Sequence, residues 1–207
     1  MALGPRFPEI LSAAAGGADW AWRELYQDLA PELLRFLTSQ GAADPEDCLG
    51  EVFVQLVRQL HKFAGNEPQF RAWAFRIARS RLVDAWRRAQ RRPAVPTGDP
   101  SEVAARSVPG PGADQPVLQR AAVEEILSLL TADQRAVLIL RVLHQFSVAE
   151  TATIIGKREG AVRVLQHRAL HALRRGLAQR EAGRPVGEAG ATANTLRQVL
   201  QLVQARS

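Results

Sequence analysis

The stretch Phe70–Arg92, FRAWAFRIARSRLVDAWRRAQRR, places Arg71, Arg76, Arg79, Arg81, Arg87, Arg88, Arg91 and Arg92 around a lone acid, Asp84. Its apolar residues recur at helical spacing, about 100° per residue. Phe70, Trp73, Ala74, Ile77 and Ala78 fall on one stripe, and Phe75, Ala78, Leu82, Trp86 and Ala89 on a second. Arg76, Arg79 and Arg87 share a third side with Ser80 and Val83. A helix buried on two sides and lined elsewhere by guanidinium groups is a rigid platform for a polyanion. A merely solvated basic face gives the same pattern, so this stretch alone fixes a helix and leaves its use open.

Composition narrows the partner. The 207-residue chain carries a formal charge of +6 and a pI near 10.8, which favours nucleic acid, an acidic protein surface or anionic lipid. Lysine occurs only at Lys62 and Lys157. Arginine abundance beside much Ala, Gly and Pro is what a GC-rich genome produces, so the placement of arginines informs more than their number. Cys48 is the only cysteine, which excludes an internal disulfide framework and points to a reducing compartment. The N-terminal MALGPRFPEILSAAAGG lacks a signal-peptide layout, and no apolar run is long enough to span a bilayer. A cytoplasmic protein without membrane insertion is the expectation.

Working outward, helical periodicity extends from about Trp20 to Arg92. It stops at Pro93–Pro116, PAVPTGDPSEVAARSVPGPGADQP, and resumes from Val117 to about Arg180. Pro and Gly without apolar periodicity predict an extended linker. No segment alternates as a strand does. The expected fold is therefore all-α, with helical domains at 1–92 and 117–180, a flexible linker at 93–116 and a tail at 181–207. In the first domain, Trp20–Thr38 should bury Trp22, Leu25, Tyr26, Leu29, Leu33, Phe36 and Leu37, with Pro31 kinking or splitting it and Gly41 ending it. Asp44-Pro45-Glu46-Asp47 caps the next helix, which runs to about Phe63 and buries Cys48 or Leu49, Val52, Phe53, Leu56 and Leu60. The turn Ala64–Pro68 then leads into the basic helix.

The second domain carries two capping boxes, Thr131-x-x-Gln134 and Ser147-x-x-Glu150. The latter opens a short helix ending at Gly156, followed by a longer helix over Glu159–Leu177. Short helix, glycine turn and basic helix make a helix-turn-helix. On the longer helix Val162, Leu165, Ala169, Leu170 and Leu173 share one side, with Gln166 at its edge. Arg163, Val164, His167, Arg168, His171, Arg174 and Arg175 take the other, without an acid. Arg suits guanine edges and phosphates, and Val a thymine methyl. A solvated helix end accounts for Arg174 and Arg175 but less well for Arg163.

His167 and His171 stand i, i+4, yet no nearby carboxylate or cysteine completes a metal set and Arg168 repels a cation. His61 and His144 are isolated and expected on helix surfaces. There is no phosphate-binding glycine loop, nucleophile elbow or paired carboxylate. No catalytic residue, metal or cofactor is expected, and the chain does not read as an enzyme.

The order of these parts resembles the extracytoplasmic-function (ECF) group of bacterial sigma factors, in the sigma-70 family. Asp44–Leu60, DPEDCLGEVFVQLVRQL, is similar to the family helix D-A-E-D-L-x-Q-E-x-F-x-x-L, and Phe70–Arg88 to F-x-x-W-L-x-x-I-A-x-N-x-x-x-D-x-x-R-R. Thr131–Leu173 resembles the family's fourth region, with L-x-x-x-Q-R-x-V, S-x-x-E-x-A-x-x-x-G and E-G-A-V-R in order. The resemblance implies that Asp47, Glu51, Gln55 and Arg58 hold the β′ clamp helices of core RNA polymerase, and that the β flap is a second contact. It implies that Lys62, Phe63 and Asn66, in the Lys62–Pro68 loop, capture a flipped base of the −10 element. Arg76, Arg79, Ser80, Asp84 and Arg87 would lie along the adjoining duplex. Lys157, Arg158, Arg163, Val164, His167, Arg168, His171 and Arg174 would meet the −35 element. Promoter DNA and core polymerase are the implied partners. The family also admits an anti-sigma factor, for which no residue here argues.

The chain departs from the family at Arg158, where many members carry a capping Ser, at Leu165-Gln166 in place of Arg-Leu or Arg-Ile, and at Ser80 in place of Asn. Gly50 lowers helix propensity by about 1 kcal/mol and suggests only close packing. Cys48 reads as a small core residue before a redox sensor. In the tail, Asn194 could cap a helix TLRQVLQLVQA that either folds back on the second domain or docks elsewhere. A helix-turn-helix regulator acting without polymerase is the alternative function, and it leaves the first domain and linker unexplained. An adaptor working only through protein contacts leaves the Arg163 and Arg168 face unused.

Overall fold

A computed structural model describes residues 3–91 and 127–182. Among the described residues every regular element is helical, as expected. The linker, the helix expected before Leu127 and the tail helix lie outside them.

The chain enters through a helix not anticipated from the sequence, α1 (Phe7–Ala15). Its proline falls in the first turn, where the missing N–H costs nothing. Phe7, Ile10 and Ala14 are buried, and the Trp22 indole N–H donates to the Ala14 carbonyl at 3.0 Å, tying α1 to α2 (Asp19–Ser39). α2 runs unbroken through Pro31, because burial of Leu29, Ala30 and Leu33 around it holds the segment helical despite one lost backbone bond. Tyr26, expected in the core, is instead half exposed and lies against Phe53, ring centroids 4.7 Å apart.

α3 (Pro45–Gln59) starts as its cap predicts, with Asp44 accepting from the Asp47 N–H at 2.9 Å. It buries both Cys48 and Leu49, and ends earlier than expected, in a 3-10 turn over Leu60–Lys62. Burial pushes the Cys48 thiol up to about 11, and the neighbouring Glu51 and Asp47 carboxylates add to it. That makes it a core residue and a poor nucleophile. α4 (Glu67–Arg91) opens on a reciprocal cap. The Gln69 N–H donates to Asn66 Oδ1 at 3.1 Å and the Asn66 N–H donates to Gln69 Oε1 at 2.9 Å. Gly65 is needed just before it, since a Cβ there would sit 2.9 Å from the Phe63 ring and 2.5 Å from Gln69 Oε1.

Both capping boxes of the second half form, opening α5 (Ala132–Val142) and α6 (Val148–Ile155). Gly156 closes α6 in the left-handed region at φ +67°, where other residues are strained. α7 (Glu159–Ala182) follows and runs past the expected Leu177. It packs on α5 through Leu138, Ala169, Leu170 and Leu173, while Val137, Ala152 and Val162 join α5, α6 and α7.

The halves also pack on each other. Ile139, Leu140, Phe146 and Ile154 belong to the same buried cluster as Phe36, Phe75 and Leu82. His144, expected on a helix surface, is the largest correction. Its side chain is only 6% exposed, set among Phe36, Phe75 and Phe146 with centroids at 6.3, 4.6 and 6.4 Å.

The close-packing reading of Gly50 does not hold, because it is exposed and a Cβ there would meet nothing within 4 Å. Gly50→Ala should therefore stabilise the chain by about 1 kcal/mol through helix propensity alone, seen as a higher denaturant midpoint at unchanged slope. A loss of stability would mean that this site has a neighbour.

Candidate nucleic-acid interface

The outward side of α7 is as the sequence plotted it. Val162, Ala169, Leu170 and Leu173 are buried, while Arg163, Val164, His167, Arg168, His171, Arg174 and Arg175 are exposed. Val164 is an exposed apolar group between arginines, at 49%. The His167 and His171 rings meet edge to face at 4.5 Å. Among the described residues no group of three or more metal-ligand side chains gathers. Arg163 is paired along the helix with Glu159 at 3.1 Å but stays open to solvent. Gln166 turns inward and accepts from Arg141 Nε at 3.3 Å. Arg158, at the head of the helix, supplies its carbonyl to the Ala161 N–H, so the backbone begins the helix where the family often uses a side chain.

On α4 the arginines divide sharply. Arg71 bridges to Asp28 at 2.8 Å and to Glu32, tying α4 to α2. Arg81 donates to Gln55, and Arg88 lies 3.4 Å from Glu51, tying α4 to α3. Arg76, Ser80 and Arg87 remain exposed and Asp84 partly so. Arg79 does not: it is buried, with Nη2 2.7 Å from Asp133 of α5 and its guanidinium 5.2 Å from the Trp86 ring centre. Burial lowers its pKa, against the pull of Asp133. Lys157, in the turn before α7, pairs with the other Asp133 oxygen at 3.1 Å.

The loop before α4 is ordered by aromatic contacts. Phe63 stacks on Trp73 at 5.2 Å and meets Phe70 edge to face at 5.3 Å. Lys62 and Asn66 are exposed beside it. Together with α1 the loop forms an open groove lined by Phe7, Pro8, Leu11, Leu60, His61 and Asn66. The Glu67 carboxylate accepts the Leu3 and Gly4 N–H groups at 2.7 and 2.8 Å, fixing the chain start against the loop. This groove was not legible without α1.

Asp47, Glu51, Gln55 and Arg58 fall on one side of α3. Asp47 and Arg58 are open, while Glu51 and Gln55 are engaged by arginines of α4. Val54 and Val57 are exposed at 51% and 54% beside them, with Tyr26 at 50%. Sequence periodicity gave no sign of this apolar rim. Apolar groups exposed next to charge are what a protein-docking surface presents.

Comparison with known proteins identifies these parts. Residues 23–92 match sigma-70 region 2 and residues 120–173 match sigma-70 region 4. The ECF RNA polymerase sigma factor SigD of Mycobacterium bovis is 31% identical over 180 residues, covering 83% of this chain and 84% of that protein. This chain belongs to the ECF sigma factors of the sigma-70 family. A second ECF sigma factor, BldN of Streptomyces coelicolor, is 32% identical over 174 residues. That match covers 82% of this chain and 65% of BldN. Among solved structures, CnrH in complex with the cytosolic domain of CnrY is similar with a TM-score of 0.61 at 27% identity, covering 82% of this chain and 96% of CnrH. The region 2 match covers α3, α4 and most of α2, the region 4 match covers α5, α6 and the first part of α7, and no described helix is long and apolar enough to cross a membrane.

Where the regions meet, Glu32 is held down to about 2, first by its hydrogen bond with His144 and then by Arg71, against the cost of burial. A depressed carboxyl stabilises the fold above its ordinary value of 4.5 and loses that contribution as pH falls toward 2. Glu32→Gln should therefore be less stable than the parent near neutrality and lose less stability through that acid window, in denaturant melts over pH. Identical pH slopes would mean that Glu32 is not paired in solution.

Proposed function

We propose that the chain is an alternative sigma factor that binds core RNA polymerase and directs promoter-specific initiation, without catalysing a reaction of its own. The observation that carries this is the exposed α7 face of Arg163, Val164, His167 and Arg168 in a chain that also carries region 2. A helix-turn-helix regulator would have no use for region 2.

The roles divide by surface. Region 2, within 1–92, docks on the β′ clamp helices through Asp47, Glu51, Gln55 and Arg58, with Val54, Val57 and Tyr26 as the apolar part of that contact. Lys62, Phe63 and Asn66 take an unstacked −10 base beside the α1 groove, and binding it offsets part of the roughly few kcal/mol needed to unstack it. Arg76, Arg79, Ser80, Asp84 and Arg87 follow the duplex. Region 4, within 117–180, sets Arg163, Val164, His167 and Arg168 into the −35 major groove. Lys157, Arg158, His171 and Arg174 meet its flanks, and this region contacts the β flap. The segment 93–116 joins the two, and the tail at 181–207 lies beyond them. The likeness to CnrH, solved in complex with the cytosolic domain of CnrY, supports regulation by an anti-sigma factor. Work in the bacterial cytoplasm follows from this role.

Transcription from a genomic promoter pool, with purified chain added to core polymerase, tests the reading; no factor-dependent initiation would refute it. Arg168→Glu should lower initiation at −35-dependent promoters by about tenfold or more and leave core binding intact. Asp47→Arg should weaken core binding while leaving duplex binding unchanged. Either variant losing both activities would contradict the division between regions.

A further inference from the structure

We propose that the cleft between α4 and the turn leading into α7 is a binding site for a nucleoside polyphosphate, held by cations of both regions at once.

The cleft has a volume of about 800 Å³, within the range of roughly 300–1,000 Å³ that small-molecule sites occupy. Four cations line it, Arg76, Arg79 and Arg87 from α4 and Lys157 from the turn before α7. Two acids, Asp84 and Asp133, line it with them. The Asp133 carboxylate is already engaged, one oxygen 2.7 Å from Arg79 Nη2 and the other 3.1 Å from Lys157 Nζ. Asp84 stands three and four residues before Arg87 and Arg88, within a helical turn that shares its charge. Arg76 and Arg87 are exposed, and among the described residues no carboxylate pairs with either. The cleft keeps a net positive charge and two guanidinium groups able to fork onto phosphate oxygens.

Arg79 points the same way. Its side chain is only 9% exposed, yet Nη1 has no hydrogen-bond partner in the protein. A buried charged donor left unpaired is costly, and native proteins rarely keep one without a partner. An anion in the cleft supplies that partner where Asp133 meets only Nη2. Two hydroxyls add to it. Ser80 is exposed along the cleft, and Thr131 Oγ1 accepts from the Gln134 N–H at 3.3 Å, which leaves its own proton to donate. Thr153 offers none, since its hydroxyl donates to the Ala149 carbonyl.

The occupant is a nucleotide and neither duplex DNA nor a bare anion. α6 packs on α4 through Ile154 and Leu82, which share one buried cluster, so a duplex cannot enter between them while a nucleotide fits the volume. Val83, Trp86 and Ile155 supply apolar wall. The Trp86 ring is partly buried, with the Arg79 guanidinium 5.2 Å from its centre, and an indole is a platform on which a base of any identity stacks. Bound there, the molecule would tie α4 to region 4. On the reading of this side of α4 given above, it would also withhold Arg76 and Arg87 from DNA, and calorimetry reads the site whether or not that reading holds.

Isothermal titration of the full chain with ATP, pyrophosphate and sulfate, at about 0.15 M salt and without magnesium, tests the site. ATP should bind at one site per chain, and pyrophosphate, lacking the base, about fivefold or more weaker. Sulfate should be weaker again. No saturable ATP binding below about 1 mM would overturn the proposal, and pyrophosphate binding as tightly as ATP would overturn the nucleotide assignment. Arg76→Gln with Arg87→Gln should weaken ATP binding by about tenfold or more, and Lys157→Gln by about threefold or more. Arg23→Gln with Arg35→Gln removes the same charge from exposed α2 positions outside the cleft and should stay within about twofold of the wild type. Equal losses in the two double variants would mean attraction to charge alone and overturn the site. A loss confined to the α4 pair, with Lys157→Gln unchanged and helical circular dichroism retained throughout, would overturn a site shared by both regions.

Discussion

The rings of Phe36, Phe75, His144 and Phe146 meet in one buried cluster to which both sigma regions contribute, and the placement of region 4 against α4 follows from it. Once His144 and Phe146 enter region 2, Ile154 of α6 must lie against α4 and Asp133 comes within reach of Arg79. The burial of aromatic rings is the strong, non-directional part of this contact. The ion pair Arg79–Asp133, which alone of Asp133's two pairs crosses between the regions, then selects the register. Paired charges at a partly buried site add little net stability, because desolvation opposes attraction, but they penalise wrong alignments.

Arginine placement shows why charge count is a poor guide to a DNA surface. Of the basic stretch on α4, Arg71, Arg79, Arg81 and Arg88 are engaged by carboxylates or amides of α2, α3 and α5. They act as fork-shaped clamps between helices, a use for which guanidinium geometry is suited and lysine is not. Arg76 and Arg87 remain outward. In region 4, Arg141 is likewise internal, donating to the Phe146 carbonyl at 2.8 Å, and so holds the turn that presents the aromatic joint. The outward α7 arginines are those that no helix behind them could use.

The parts legible in the sequence are those written locally. Asp44, Thr131 and Ser147 cap their helices, Gly156 closes the short one, and the two sides of α7 separate as periodicity says. Each depends on residues within a turn or two. The parts missed are non-local. α1 is short and lies between prolines and glycines, and it is secured by contacts far along the chain, Phe7 on Phe70 at 5.5 Å and Glu67 on the Leu3 N–H. Tyr26 fits the periodic core stripe of α2 yet stays half exposed because its neighbour is Phe53 at the surface. His144 has no helical partner stripe at all, and only the meeting of two regions buries it. Of the candidate site, the outward face of α7 was legible throughout, whereas Arg79 looked as open as Arg76 until α5 was placed.

The composition of the joint sets how the two regions hold together. Were it lined only with leucine and isoleucine, the regions would be held by apolar burial alone, which is stable against any modest competitor. Were it wholly polar, water would compete as well as Asp133 does and the regions would not pack. The observed mixture places two aromatic residues beside two buried nitrogens without a hydrogen-bond partner, Arg79 Nη1 and His144 Nε2, and a bridging carboxylate. Region 4 keeps its own clusters about Leu138 and Leu173 and about Val137 and Val162, so parting the regions exposes the joint without dissolving either set.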